Sequence, residues 1–279
     1  MRYLIAIIFH SIFRIKYFKN KYYGFYKRIF KPFDIFQGVT IRTLYRNKIV
    51  LNLRIDDWIQ QNLYFLNEYE EKEIMFVEHF LKKGNIFIDV GANIGLYSLV
   101  ASKQVAEEGV VYAFEPIKRN YNNLINHIHL NNANNIIAEN LAISNNQENM
   151  KLFINEQDKN NGMATAYAKT YTYTESVSST SLDLYFANKT AAPVNLIKID
   201  IEGGEYLALL GMQHILTRDK PVLLIEINPD APYEQRDMEN LLFGLDYKKY
   251  FLDKNGLVIE QKMQEDNSYN CLFVCDNHV

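Results

Sequence analysis

Two glycines in the segment Phe87–Leu99 could shape a ligand site, because they lie where a buried strand gives way to a helix. The segment reads Phe-Ile-Asp-Val-Gly-Ala-Asn-Ile-Gly-Leu-Tyr-Ser-Leu. Gly91 would let the backbone approach a ligand, and Gly95 would allow tight helix packing. The helix start would offer unpaired N–H groups to a carboxylate or phosphate. The spacing is not the Gly-x-Gly-x-x-Gly of dinucleotide-binding sites, so a plain tight turn is the alternative.

Carboxylates at the ends of two predicted strands favour a ligand site. Asp89 ends the first strand, where it could receive a cationic or hydroxyl group. Glu115 ends the next strand, twenty residues after Gly95, and Pro116 then closes that strand. In folds that bind nucleosides between a strand and a glycine turn, a carboxylate at this offset binds the ribose diol. The alternative, a solvated acid at a strand end, explains Glu115 alone but not its pairing with the glycine turn.

The third predicted strand ends in Glu-Asn-Leu-Ala at residues 139–142. The side chain of Asn140, or the backbone as far as Ala142, could contact the edge of an adenine. An ordinary polar turn explains the same residues equally well.

Four acids gather at the ends of two later predicted strands: Asp200, Glu202, Glu205 and Glu226. Ligands collect at the carboxyl edge of an open α/β sheet. Three carboxylates within six residues repel one another unless a cation, a lysine or a proton relieves them, so their crowding indicates a site. Exposed acids without a function are the alternative.

The elements that would position these residues are short β-rich runs that alternate with helical patterns. The runs are Ile86–Val90, Val110–Phe114, Ile136–Ile143, Leu196–Ile201 and Val222–Ile227. This alternation predicts an α/β fold with a mostly parallel, doubly wound sheet. Nearly continuous apolar content is typical of strands that helices cover on both faces. Two late segments, Tyr247–Leu252 and Cys271–Cys275, predict strands that pair antiparallel.

The sequence predicts three domains. Residues 1–35 form a basic, aromatic N-terminal arm, residues 36–80 a small hairpin and helix, and residues 81–279 the sheet domain. The hairpin is predicted from alternating residues on either side of Arg46-Asn47. The Ser-, Thr- and Tyr-rich stretch Thr165–Ser181 is interpreted as a loop over the site or as a surface excursion.

The formal charge of −3 conceals two opposite parts. The first 33 residues hold eight Lys and Arg, no acid and 11 aromatic residues, while the rest holds 22 Lys and Arg against 33 Asp and Glu, a net charge of −11. A membrane surface, a nucleic acid or the acidic body could bind this arm. Its longest apolar run, Leu4–Phe9, is too short to span a bilayer, and no small-residue cleavage site follows it. We expect a cytoplasmic protein, peripheral on the inner membrane face through the arm, with buried, inert thiols at Cys271 and Cys275.

The sequence resembles the FkbM family of S-adenosylmethionine-dependent methyltransferases. The blocks that carry the resemblance are Ile88–Ser98, Ala113–Pro116, Leu196–Glu205 and the later strand Pro221–Glu226. The resemblance implies a Rossmann-like class I methyltransferase fold and methyl transfer to a hydroxyl oxygen, often on a sugar or a secondary metabolite. The family often has alanine where this chain has Gly204. The resemblance does not reach the basic arm.

The resemblance also implies how the cofactor is held. The expected cofactor-binding residues are Asp89, Gly91, Asn93, Gly95, Tyr97, Ser98, Glu115, Pro116, Asn140 and Ala142. The carboxylate of S-adenosylmethionine would lie at the helix start near Gly95, with Tyr97 and Ser98 close by. Its ribose would contact Glu115, and its ammonium and sulfonium would lie near Asp89 and the Gly91 carbonyl.

Asp200 or Glu202 would act as the base or orient the acceptor hydroxyl, because a crowded carboxylate gains basicity from its neighbours. A divalent metal held by Asp200, Glu202 and Glu226 is a second interpretation. The expected acceptor is a hydroxyl on a glycan or small molecule, with a lipid or secondary-metabolite hydroxyl as the alternative. Nucleic acid is disfavoured, since the acidic body would repel a polyanion. An NAD-dependent oxidoreductase and a noncatalytic binding protein are the other function classes considered.

Overall fold

The computed structural model describes residues 1–154, 164–165, 171–189, 192–228, 235–260 and 269–275. The chain divides into two compact units. Among the described residues, the first unit is Met1–Glu70 and the second begins at Glu71. No helix in these described ranges is long and apolar enough to cross a membrane.

The first unit combines short helices with one hairpin. Its helices are α1 (Arg2–Phe13), α2 (Lys16–Lys19), α3 (Tyr22–Phe25), a π-helical turn (Tyr26–Phe30) and α4 (Trp58–Leu66). The predicted hairpin is confirmed as β1 (Thr40–Tyr45) paired antiparallel with β2 (Ile49–Arg54). Arg46 and Asn47 both have positive φ, of 47° and 56°, which is how the chain reverses between strands of right-handed twist.

Aromatic side chains from the predicted arm form the core of this first unit. Phe13 packs edge-on against Phe65 of α4, with ring centroids 5.6 Å apart. Phe30 lies 4.8 Å from Phe36 and 5.8 Å from Phe65. Such ring pairs stabilise a core beyond the area they bury. The arm therefore shares one core with Phe36 and α4, and the unit boundary after Glu70 does not coincide with the boundaries predicted at residues 35 and 80.

The second unit is built on an eight-stranded sheet in the order β13-β12-β14-β11-β10-β3-β4-β5. Its strands are β3 (Ile86–Val90), β4 (Val110–Phe114), β5 (Ile136–Glu139), β10 (Leu196–Ile199), β11 (Val222–Ile227), β12 (Tyr247–Leu252), β13 (Val258–Ile259) and β14 (Tyr269–Cys275). The five strands from β5 to β11 are parallel, and β14 lies antiparallel between β11 and β12. The predicted α/β fold with a mostly parallel, doubly wound sheet and an antiparallel late strand is confirmed. Both cysteines are buried in β14.

Helices surround this sheet. They are α5 (Glu71–Phe80), α6 (Leu96–Val105), α7 (Lys118–Asn131), α8 (Leu182–Phe186), α9 (Glu205–Leu210), α10 (Gln213–Asp219) and α11 (Gln235–Phe243). One face of the sheet packs α6 against β3, β4 and β5. The other face shares a hydrophobic core with residues of α8 to α11. All five residues of β3 are buried, which explains why four of them are apolar.

A second sheet follows the third parallel strand, in the order β6-β9-β7-β8. Its strands are β6 (Ala142–Ile143), β7 (Asn149–Ile154), β8 (Ala164–Thr165) and β9 (Tyr173–Thr180). The loop interpretation of Thr165–Ser181 is wrong where residues are described, because Tyr173–Ser178 pairs antiparallel with β7 and Ser179–Thr180 pairs parallel with β6. Its Thr, Tyr and Val residues suit a pleated, half-buried strand.

Candidate functional site

The loop between β3 and α6 turns through three residues with left-handed backbone. The angle φ is +81° at Gly91, +50° at Asn93 and +88° at Gly95. Two amides of the loop donate to the carbonyl of Phe114, which ties the loop to the end of β4. A Cβ atom at Gly91 would overlap the carbonyl oxygen of Asp200. The backbone after β10 therefore touches the glycine loop directly.

Gly95 lies at the start of α6 and faces a side chain of α7. A Cβ atom at this position would overlap Cδ1 of Leu124. The tight helix packing predicted for Gly95 is thus confirmed. Asn93 adopts the left-handed conformation between the two glycines, which asparagine tolerates better than most residues.

The Glu115 carboxylate is held at the end of β4 by two backbone amides. Its Oε2 accepts a hydrogen bond of 2.8 Å from the N–H of Asn93, and its Oε1 accepts one of 2.8 Å from Ile117. The side chain is buried, and burial raises the pKa of Glu115 to about 7, although both amides act to lower it. Each carboxylate oxygen has a second lone pair, so this group can still accept hydrogen bonds from a diol.

A buried network of charges links β3 to β10. Asp89 is fully buried, and its Oδ2 accepts a 2.6 Å hydrogen bond from the Ser98 hydroxyl. Its Oδ1 lies 4.0 Å from Nζ of Lys198, which also donates a 3.0 Å hydrogen bond to Oδ2 of Asp200. The same ammonium lies 4.8 Å from the ring centroid of Tyr97. Burial raises the pKa of Asp89, and Lys198 opposes that shift.

The structure brings three of the predicted acids together. Oxygens of Asp200, Glu202 and Glu226 all lie within 4.8 Å of one another, and all three residues are half-buried. Glu202 has φ of +56°, which is uncommon outside glycine and is often found at functional sites. Carboxylate oxygens are ligands that Mg²⁺ and Ca²⁺ prefer, so the group offers a candidate metal position.

Glu205 has a different role from the other three acids. It is fully buried, and its Oε1 accepts hydrogen bonds from the amides of Ile201 and Gly203 at 3.0 and 3.1 Å. These amides relieve its charge and fix the turn that follows Asp200. Glu205 therefore positions the turn instead of facing a ligand.

The remaining predicted residues lie around the end of β4. Asn140 donates from Nδ2 to the carbonyls of Glu115 and Pro116, at 2.9 and 2.7 Å. Ala142 is buried in β6, where it belongs to a small hydrophobic cluster with Ile117. Asn140 thus fixes the strand end that carries Glu115, and only its Oδ1 is left as a side-chain atom that could accept a hydrogen bond from adenine.

A family model described as the methyltransferase FkbM domain matches residues 89–252, more than half of the chain. This chain belongs to the FkbM methyltransferase family. Its cofactor is S-adenosylmethionine. A search of curated proteins finds no significant match.

Three solved structures similar to this FkbM methyltransferase are distant from it in sequence. Methyltransferase FkbM from Methylobacillus flagellatus is 19% identical with a TM-score of 0.46, over 78% of this chain and 55% of that chain. An rRNA methylase from Streptococcus thermophilus is 15% identical with a TM-score of 0.43, over 72% and 90%. Aeropyrum pernix fibrillarin, with S-adenosylmethionine bound, is 13% identical with a TM-score of 0.42, over 69% and 67%. This chain therefore spans about half the length of the Methylobacillus protein.

The residues of this FkbM domain fit a nucleoside cofactor that carries a positive charge. Glu115 supplies buried acceptor oxygens beside the glycine loop. Within the described residues, Oδ1 of Asp89 is buried and accepts no hydrogen bond, so one acceptor at the end of β3 has no donor. Because Asp89 is fully enclosed by Ser98 and its other neighbours, its direct contact with the cofactor ammonium stays a prediction.

Two contacts of the site were not foreseen. Lys198 lies in the predicted strand Leu196–Ile201, but its pairing with Asp200 was not predicted, although residues two apart in an extended run share a face. Tyr185 of α8 donates a 2.8 Å hydrogen bond to Glu139 at the end of β5. The sequence carries no signal for that pair, because 46 residues separate its members.

Proposed function

We propose that this FkbM methyltransferase transfers a methyl group from S-adenosylmethionine to a hydroxyl oxygen of a sugar or glycan. The observation that supports this most directly is the contact between the loop at Gly91 and the backbone of Asp200. It supports the proposal because Asp200, which on this proposal accepts the proton, directly adjoins the loop proposed to bind the cofactor. Lys198 holds this carboxylate through a 3.0 Å hydrogen bond.

On this proposal, the chain binds the cofactor through three features. The second lone pairs of Glu115 accept the ribose hydroxyls, because its two amide bonds fix the carboxylate in place. Oδ1 of Asn140 accepts from the adenine amino group. The start of α6 after Gly95 receives the amino acid carboxylate, which the helix dipole favours.

When bound, S-adenosylmethionine supplies a methyl carbon attached to a sulfonium. With the cofactor bound, Asp200 and Glu202 would hold the acceptor hydroxyl and orient its oxygen for methyl transfer. One of their carboxylate oxygens would accept the proton that the hydroxyl loses. Because Lys198 occupies Oδ2 of Asp200, Oδ1 is the oxygen of that group that takes the proton.

The acids at the site favour a neutral acceptor with several hydroxyl groups. Ionised carboxylates only accept hydrogen bonds, so Asp200, Glu202 and Glu226 match hydroxyls well. Three carboxylates within 4.8 Å of one another would repel the phosphates of a nucleic acid. A hydroxyl on a lipid or a secondary metabolite is the second candidate, since it would use the same contacts.

The substrate class is tested by comparing the glycans and lipids of cells with and without the gene by mass spectrometry. We expect one glycan species to lose the mass of a single CH₂ group in cells without the gene. Loss of that mass from a lipid alone supports the second candidate. Unchanged glycans and lipids in both cell types contradict the proposal.

The catalytic assignment is tested with the purified protein and the substitutions Asp200→Asn and Glu202→Gln. We expect the variant that lacks the base to lose about 100-fold or more in kcat while its affinity for S-adenosylmethionine is unchanged. Glu107→Gln, an exposed acid in the loop after α6, is the matched control. Unaltered turnover in both site variants would exclude the proposed roles, and binding without any turnover would indicate a noncatalytic protein.

A further inference from the structure

Helix α1 has apolar residues on both of its faces. Ala6, Phe9 and Phe13 lie on the side that packs into the core of the first unit, where Phe9 lies 4.9 Å from Phe30. The opposite side carries Tyr3, Leu4, Ile7 and Ile8, which are 54%, 62%, 43% and 50% exposed. A helix that is apolar all round is normally covered on every side. The exposed face therefore needs an apolar environment that the described residues do not supply.

The four residues Tyr3, Leu4, Ile7 and Ile8, called the α1 face from here on, form one continuous surface. Residues three and four positions apart lie next to each other on a helix, so Leu4 contacts the turn that carries Ile7 and Ile8. Ile15, at the beginning of α2, adds a further aliphatic side chain that is 55% exposed. The surface is mainly aliphatic, with one amphipathic ring at Tyr3.

Cations lie at the ends of α1, and acids are scarce in the first unit. Residues 1–70 contain 12 Lys and Arg against 5 Asp and Glu, and the first of these acids is Asp34. Arg2 and Arg14 are exposed at the two ends of α1, and Lys16 is exposed at the start of α2. Such side chains can lay their stems on apolar surface while their charges stay in water. The pattern matches an anionic bilayer, whose headgroups attract the cations and whose acyl boundary accepts the aliphatic groups.

The kind of apolar residue argues against a nucleic acid as the occupant. Single-stranded nucleic acids stack their bases on aromatic rings and Arg planes. Leu4, Ile7 and Ile8 offer no such ring. Aliphatic groups with cations at their margin are typical of helices that lie in a membrane interface.

We propose that the α1 face binds the surface of an anionic lipid bilayer, with α1 lying in the interface plane. The first unit carries the contact through its folded core, since Phe13 and Phe30 fix α1 in place. The proposal is independent of the acceptor that the second unit methylates.

The test is flotation of the full chain with vesicles of phosphatidylcholine and phosphatidylglycerol, compared with phosphatidylcholine alone. We expect binding to the anionic vesicles, with a partition coefficient at least about tenfold higher than on neutral ones. The triple variant Leu4→Gln, Ile7→Gln, Ile8→Gln should lower that coefficient about 100-fold. These side chains are exposed, so the substitutions should leave the melting temperature unchanged.

A second triple variant controls for the loss of apolar surface as such. Ile137→Gln, Leu184→Gln and Leu257→Gln remove exposed apolar residues of the second unit and should not change vesicle binding. Equal flotation of the wild type and the α1 variant would overturn the proposal. The proposal would also be overturned if the wild type bound no vesicles and the α1 variant lost self-association or oligonucleotide binding. Either loss would assign the face to a different partner.

Discussion

The ammonium of Lys198 donates a 3.0 Å hydrogen bond to Oδ2 of Asp200. It also lies 4.0 Å from Oδ1 of Asp89, which stands beside Lys198 in the pairing of β10 with β3. Lys198 and Asp89 are almost completely buried, whereas Asp200 is a quarter exposed. One buried cation thus serves both the carboxylate beneath the glycine loop and the carboxylate proposed to face the acceptor. This arrangement couples the loop proposed to bind the cofactor to the acids of the candidate site.

Removal of this cation should destabilise the fold and slow the reaction. Lys198→Met keeps a long apolar side chain but leaves Asp89 buried without its counter-charge, which typically costs about 3–5 kcal/mol in the free energy of unfolding. Urea denaturation measures this loss. Lys103→Met, at an exposed position of α6, is the matched control and should change stability little. Addition of Asp89→Asn to Lys198→Met should recover part of the loss, and wild-type stability of Lys198→Met alone would exclude this role.

Alanine should destabilise the protein at one glycine of the site and have little effect at another. Gly91→Ala would place a Cβ atom on the rigid carbonyl oxygen of Asp200, at a φ of +81°. We expect this variant to lose about 2 kcal/mol or more of stability, together with cofactor affinity.

Gly204→Ala is the matched comparison. Its Cβ atom would lie 3.0 Å from Cδ1 of Ile201, the far end of a flexible side chain. Alanine is also the residue that the family often has there. Thermal denaturation should place this variant within about 1 kcal/mol of the wild type. Equal destabilisation by both substitutions would contradict the explanation from backbone contact.

The parallel strands could be predicted because a strand buried on both faces has a nearly continuous apolar sequence, as in Ile86–Val90. The third strand shows where such a prediction ends. The run Ile136–Ile143 is uniform enough to predict one strand, yet it divides after Glu139, and Ala142–Ile143 pairs with β9 in the second sheet. An apolar run indicates that a segment is extended and buried, but it does not indicate which strand lies beside it.

The site was predicted in part for a similar reason. Strand ends in a parallel sheet meet at one edge, so Glu115 and Asp200 could be assigned to it from spacing alone. The amides that hold Glu115 and the lysine that holds Asp200 depend on strand register, which the spacing does not determine. The composition of the arm did not determine where aromatic residues such as Phe13 pack, since the same composition suits a membrane surface and a small folded core.

Metal removal distinguishes the two interpretations of the acidic cluster. Because Lys198 already supplies a positive charge next to Asp200, we expect activity to change by less than about twofold after dialysis against EDTA. Addition of Mg²⁺ to the dialysed enzyme should not raise the rate. A complete loss that Mg²⁺ restores would instead support metal binding by Asp200, Glu202 and Glu226.

The affinity for S-adenosylmethionine should increase with pH because of Glu115. Burial raises the pKa of this carboxyl to about 7, and only its ionised form accepts both ribose hydroxyls. The proton must therefore leave before the ligand binds, so the Kd should fall about tenfold between pH 6 and pH 8. Isothermal titration of the wild type and of Glu115→Gln measures this difference. Ionisation of the ligand's own ammonium affects binding to both proteins equally. Any pH dependence that the wild type shows and Glu115→Gln lacks is therefore due to the Glu115 carboxyl. Identical pH profiles for the two proteins, with both shown to be folded by circular dichroism, would mean that ribose binding does not depend on this carboxylate.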